Sequence, residues 1–273
     1  GNYYTYITGG SWELTSSMES AKYKLGGAND KTSKDGGSYT GLYELGTNLT
    51  LLPLDYGDTS LVGYWKFDEG SGTTAYDASG HNNNGTLTNG PTYTTGKVGS
   101  YALSFDGTDD WVNIGNGSII NFGTGNFSIV FYFKTANLGG SNNNAFIGNK
   151  STAGGANPGY HINTNNGKIR VQLADGVDAP SFDGLLTIND NNYHLCAIVI
   201  NKSSLAKIYI DNVLDNSLND TMLGNTNGEY LTSIGAGAGG GWHRFSGVID
   251  DIRIYNRALS AAEISALYNA TNK

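Results

Sequence analysis

The 273-residue sequence has a single cysteine, Cys196, so no disulfide can close within the chain, and the redox compartment stays open. Cys196 lies in the apolar run His194-Leu195-Cys196-Ala197-Ile198-Val199-Ile200, where a thiol reads as a small core residue rather than a nucleophile. Basic patches are lacking on a chain of formal net charge -8, which argues against a nucleic-acid footprint. No apolar run reaches membrane-spanning length and no secretory leader opens the sequence. Gly1-Asn2-Tyr3-Tyr4 runs almost at once into strand-like sequence without a methionine, so a targeting segment or helix is expected to precede it.

Signatures of catalysis are scarce too. The glutamates Glu13, Glu19, Glu44, Glu69, Glu229 and Glu263 form no Glu-x-Asp-x-x-Glu strand. Such a strand is what brings two glycosidase carboxylates about 5–5.5 Å apart. His81, His161, His194 and His243 stand in no nucleophile motif. The run Gly235-Ala236-Gly237-Ala238-Gly239-Gly240-Gly241 lacks the Lys-Ser/Thr ending of a phosphate loop and reads as a flexible hairpin between strands.

What is abundant points to strands. Forty glycines and 18 tyrosines accompany only two methionines. Aromatic and β-branched residues fill strands, while Gly and Asn supply tight turns. Two unequal parts follow. In residues 1–58, Tyr4 and Tyr6, then Gly9-Gly10, then Trp12, Leu14 and Ser16 predict two strands around a turn. A polar loop and short strand-like pieces at 42–45 and 49–52 come next. So few large apolar residues make no robust core alone, so this part needs a covering partner. Residues 53–60 read as a linker.

Residues 61–273 carry turn signals every eight to twelve positions. Strands are expected at 61–67, 102–105, 111–114, 127–134, 145–149, 160–163, 168–173, 193–201, 207–210, 231–234 and 245–255. The long apolar segments 127–133 and 195–200 belong in the buried middle. One helix is predicted after Ser260, whose capping box is completed by Glu263; Ile264, Leu267 and Tyr268 would dock it on the sandwich.

Two resemblances follow from specific motifs. Tyr3-Tyr4-Thr5-Tyr6, Gly9-Gly10 and Trp12-Glu13-Leu14-Thr15-Ser16-Ser17-Met18-Glu19-Ser20 resemble the β-region that follows the N-terminal helix in bacterial type IV pilin-like proteins and pseudopilins. The cleavage motif and apolar helix of that family are absent. Four ordered motifs resemble the laminin-G-like, concanavalin A-like jelly-roll family. They are Leu61-Val62-Gly63-Tyr64-Trp65-Lys66-Phe67-Asp68-Glu69-Gly70-Ser71-Gly72, Asp77-Ala78-Ser79-Gly80-His81-Asn82-Asn83-Asn84-Gly85-Thr86, Leu103-Ser104-Phe105-Asp106-Gly107-Thr108-Asp109-Asp110-Trp111-Val112 and Gly247-Val248-Ile249-Asp250-Asp251-Ile252-Arg253-Ile254-Tyr255-Asn256-Arg257-Ala258-Leu259-Ser260.

Together the resemblances imply an all-β, two-sheet jelly-roll sandwich behind a small pilin-like β-region. Its work would be non-catalytic adhesion or carbohydrate binding at the cell surface or pilus, as a minor pilin. The partners would be a glycan or surface ligand, and other pilin subunits reached through an absent N-terminal helix that is also the sole membrane link. The alternatives are a structural pilin subunit whose sandwich only decorates the fibre, and a glycosidase-related enzyme.

Strict alternation over 248–255 puts Val248, Asp250, Ile252 and Ile254 on one apolar side and Ile249, Asp251, Arg253 and Tyr255 on the other. A bare carboxylate on the apolar side is costly unless paired or bound to a cation. Ca²⁺, which takes six to eight oxygens, could be held by Asp250, Asp68, Asp106 and Gly107. The jelly-roll resemblance implies the same; pairing of Asp250 with Arg253, Arg244 or a backbone amide is the other reading. Asp251 is expected to form a surface pair with Arg253, and Asp77 to Gly85 a turn that bonds its own backbone. Candidate ligand contacts are Trp242, His243 and Arg244, Tyr160 with His161, and Asn143 with its neighbours.

Overall fold

A computed structural model describes residues 2–7, 11–17 and 42–46 as backbone, and 58–116, 120–136, 144–150, 156–219 and 224–271 in full. The chain divides into two compact units, Gly1–Thr59 together with Ser260–Lys273, and Ser60–Leu259. The first boundary falls within the expected linker.

In the first unit, β1 (Asn2–Ile7), β2 (Ser11–Ser17) and β3 (Leu42–Gly46) form an antiparallel sheet in that order. Tyr4 pairs with Leu14 and Tyr6 with Trp12, as alternation around a turn requires. Helix α1 (Ala261–Thr271) opens on the expected capping box: the Ser260 amide and hydroxyl donate to Glu263 Oε2, and the Glu263 amide donates back to Ser260 Oγ. This helix, expected to dock on the sandwich, belongs to the first unit.

The second unit is a sandwich of two antiparallel sheets. The first sheet contains β4 (Leu61–Trp65), β7 (Thr92–Thr95), β8 (Tyr101–Asp106), β10 (Phe127–Lys134), β15 (Tyr193–Ile200), β16 (Leu205–Ile210), β17 (Val213–Asn219) and β19 (Ser246–Tyr255). Its order is β17-β16-β15-β10-β19-β8-β7, with β4 also paired to β19. The second contains β5 (Thr74–Ala75), β6 (Gly85–Thr88), β9 (Trp111–Gly115), β11 (Ala145–Gly148), β12 (Gly159–Asn165), β13 (Lys168–Ala174), β14 (Ser181–Asp183) and β18 (Thr232–Ile234). It runs β14-β13-β12-β11-β18-β9-β6-β5. The most apolar expected strands, β10 and β15, pair at the centre of the first sheet over eight residues.

One core lies between the sheets. Phe127, Ile129, Phe131 and Phe133 of β10 meet Phe146, Tyr160, Ile162, Val171 and Ile234 from the opposite sheet. Cys196 is part of it, and burial pushes its thiol well above the usual range, as expected of a core residue. The Asp77 turn behaves as predicted. Its Oδ1 accepts from the Tyr64 and Ser79 amides and its Oδ2 from the Asn83 amide, each at 2.9 Å.

Candidate functional site

The C-terminal strand departs from strict alternation. Across β10 and β19, Val130 pairs with Arg253 and Tyr132 with Asp250, so Phe131 faces two residues, Asp251 and Ile252. Asp251 adopts φ +52, and this bulge shifts the phase. Ile249, Ile252 and Ile254 point into the core, whereas Asp250 shares the outer face with Tyr132. The expected grouping of Asp250 with Ile252 and Ile254 is therefore corrected. Asp250 is nevertheless fully buried.

Asp250 Oδ2 accepts from the amides of Lys97 (2.7 Å) and Val98 (2.9 Å), and Asp68 Oδ1 from those of Ser100 (2.7 Å) and Tyr101 (2.9 Å). Oδ1 of Asp250 has no hydrogen-bond partner among the described residues. Burial, with the Asp251 and Asp68 charges adding, pushes the Asp250 carboxyl up to about 7. A hard cation would relieve both the orphan oxygen and the repulsion, so these two carboxylates fit Ca²⁺ chemistry.

Asp106 and Gly107 lie elsewhere. Asp106 pairs with Ser246, four residues along β19 from Asp250, a separation of roughly 13 Å along a strand. Oxygens of Asp106, Asp109 and Asp110 gather within 4.8 Å of one another, but Asp106 Oδ1 caps the Thr108 amide and Asp110 Oδ2 the Asp106 amide. This is turn chemistry. Asp251, expected on the surface, is buried: Tyr64 Oη donates to its Oδ1 at 2.7 Å, and Arg253 lies 3.2 Å from its Oδ2.

The Gly-rich run is not a hairpin. It joins β18 of the second sheet to β19 of the first, crossing between them. The Phe245 amide donates to the Gly235 carbonyl (2.9 Å) and the Gly237 amide to that of Trp242 (2.6 Å), so the loop has a closed neck. Gly240, at φ +69, packs on the Trp111 ring and donates to Ser233 Oγ. Trp242, whose carbonyl helps close the neck, is 70% exposed; the Gly239 amide donates to the carbonyl of exposed Leu231. His243, at φ +57, accepts from the Ala145 amide and lies 5.6 Å from the His161 ring. Arg244 Nη1 donates to the Asp109 carbonyl.

Tyr160, expected as a ligand platform, is a core residue among Phe122 and Phe127. Its neighbour His161 faces outward, as does Asn163. In β12 the order Tyr160-His161-Ile162-Asn163 alternates apolar with polar, the sequence signal that could have singled out Asn163. Asn143 lies outside the described residues.

This architecture defines a lectin-like jelly-roll sandwich. A family model described as the Concanavalin A-like lectin/glucanases superfamily matches residues 106–265, more than half of the chain. The chain belongs to that superfamily. No curated protein sequence matches it. Among solved structures, the binding domain of Paraclostridial Mosquitocidal Protein 1 is similar, with TM-score 0.64 and 18% identity, covering 77% of this chain and 52% of that one. The ligand-binding domain of botulinum neurotoxin serotype D, in complex with N-acetylneuraminic acid, gives TM-score 0.58 and 18% identity over 77% and 51%. Domain 4 of AbnA, an extracellular GH43 arabinanase from Geobacillus stearothermophilus, in complex with arabinotriose, gives 0.59 and 20% over 77% and 98%. The chain thus spans about half the toxin domains and nearly all of the arabinanase domain. At these identities the likeness establishes the fold. No helix among the described residues is long and apolar enough to cross a membrane.

Proposed function

We propose that the Ser60–Leu259 unit is a non-catalytic, extracellular carbohydrate-binding module. The observation that carries this reading is Trp242, a large aromatic held 70% exposed on a loop tied down by backbone hydrogen bonds, one of them to its own carbonyl. Indole faces suit the apolar faces of sugar rings, and the nearby Arg244 and Asp109 supply polar rims. The sugar complexes of two structural neighbours support the same ligand class.

The proposal extends to calcium, held by Asp68 and Asp250 with water or carbonyl oxygens completing the shell. It also extends to display, with the pilin-like residues 1–58 presenting the module on a type IV pilus-like filament. A glycan array read with wild type and Trp242→Ala, with and without calcium, tests the binding reading. Wild-type signal on a defined glycan that Trp242→Ala loses is the expected result; no signal on any glycan overturns it. Electron microscopy of cell-surface filaments with an antibody to the sandwich tests display, and unlabelled filaments would refute it.

A further inference from the structure

Behind the Trp242 loop, the outer face of the second sheet holds two polar atoms that nothing described satisfies. His161 and Asn163 stand two residues apart on β12, on the same face, about 6.6 Å apart along the strand. His161 Nδ1 lies 3.2 Å from Gln172 Oε1, and Asn163 Nδ2 donates to that same oxygen. An oxygen that takes the amide donor of Asn163 is an acceptor, so the proton of His161 sits on Nδ1 and its Nε2 is a bare lone pair. Nε2 of His161 and Oδ1 of Asn163 are both buried and without a hydrogen-bond partner. Burial, with the His243 and Lys150 charges adding, holds the His161 imidazole down to about 3, so Nε2 remains an acceptor at physiological pH.

Each unpaired buried acceptor costs free energy that a hydroxyl donor would recover. The surroundings disfavour a metal cation: Lys150 acts on His161 with like charge, and the nearby Asp183 is already bound by Arg170 and Asn165. They suit a neutral polyol. Gln172 and Arg170, paired with His161 and Asn163 on β13, are partly exposed and give an approach to the pair. On the other side His243 closes over His161, carried by the loop whose neck is the Gly235–Phe245 hydrogen bond.

We propose that His161 Nε2 and Asn163 Oδ1 are the acceptors for hydroxyl groups of a sugar ring that approaches the face of the second sheet past the partly exposed Gln172 and Arg170. This rests on the glycan-binding reading and names the residues that select for hydroxyl donors. Trp242 supplies stacking at the rim, and the β12 pair reads the ring's hydroxyls.

The test uses His161→Phe and Asn163→Leu, which remove the acceptors and with them the bonds of His161 Nδ1 and Asn163 Nδ2 to Gln172; Gln172→Leu removes those bonds alone and is the control. Binding to a panel that includes arabinotriose and N-acetylneuraminic acid is measured by calorimetry beside thermal melting. Wild type is expected to bind a panel member, and each variant to lose at least about tenfold in affinity with a melting temperature no lower than that of Gln172→Leu. That combination marks acceptors kept for a ligand, since beyond the Gln172 bonds only an unsatisfied atom is removed. Wild-type affinity in both variants would overturn the inference while leaving the Trp242 reading intact. Loss of binding together with a melting temperature below that of Gln172→Leu would assign the pair a structural role, served by trapped water, and also overturn it. No binding by wild type would overturn both readings.

Discussion

Asp68 and Asp250, 182 positions apart in sequence, grip the two halves of one turn: Asp250 takes the amides of Lys97 and Val98, and Asp68 those of Ser100 and Tyr101. Two like charges are thereby held close, one with a buried oxygen left unpaired. Calcium should raise the melting temperature of the wild type. A ligand specific to the folded state stabilises by about 2.7 kcal/mol at a hundred times its Kd. Asp250→Ala should abolish the response, and Asp106→Ala should keep it. Melting curves in calcium and in chelator decide; a response lost in Asp106→Ala but kept in Asp250→Ala would move the site.

The Tyr64–Asp251–Arg253 cluster is buried, so breaking it leaves an uncompensated charge. Asp251→Ala should cost about 3–5 kcal/mol in urea unfolding. Tyr64→Phe, which removes one hydroxyl, should cost about 1–2 kcal/mol. A loss below 1 kcal/mol for Asp251→Ala would mean the pair is solvated.

His161 gives stability a defined pH dependence. Its folded-state pKa of about 3 lies below the unfolded value of 6.5, so between these values the unfolded chain binds more protons and stability falls as pH falls. The loss should be on the order of 1 kcal/mol for each unit below 6.5, ending near pH 3. Asp250, raised to about 7, works in the opposite sense and weakens the fold as pH rises from about 4 to 7. The His161 contribution is therefore read as the difference between wild type and His161→Phe from pH 6.5 to 3.5 in chelator. A pH-independent difference would contradict a neutral buried imidazole.

Trp242→Ala should leave the melting temperature within about 2 °C of wild type, because an exposed side chain contributes little packing. Its effect belongs on glycan affinity, with a loss of at least about tenfold. A marked drop in melting temperature would make the indole a structural anchor instead.

The sandwich was legible in the amino-acid pattern. The long apolar runs became β10 and β15 at the centre of a sheet, where both faces are covered and nearly every residue is buried. The Ser260–Glu263 capping box and the Asp77 turn were also legible, because both are satisfied by local atoms. Five strands of the sandwich were not read from the sequence: β5, β7, β14 and β17 are the edges of its two sheets and β6 lies next to one, and β6, β7 and β14 each set only one residue, Leu87, Tyr93 or Phe182, against the core. Edge strands bury little, so polar residues and even exposed Val213 and Leu214 serve there and periodicity fades.

The site emerged from contacts between distant segments. The bulge at Asp251 is set by pairing with Phe131, and it put Asp250 on the outer face with Asp68 rather than with Asp106 and Gly107. Crossing of the Gly-rich loop between sheets brought His243 onto His161, residues 82 apart in sequence. In β12 the alternation was written in the sequence, but which half faced the core was not. Tyr160 went inside because the space beside Phe122 and Phe127 fits an aromatic ring, and that left His161 and Asn163 outside. Strand pairing and the fit of facing side chains are non-local, so neither is carried by spacing along the chain.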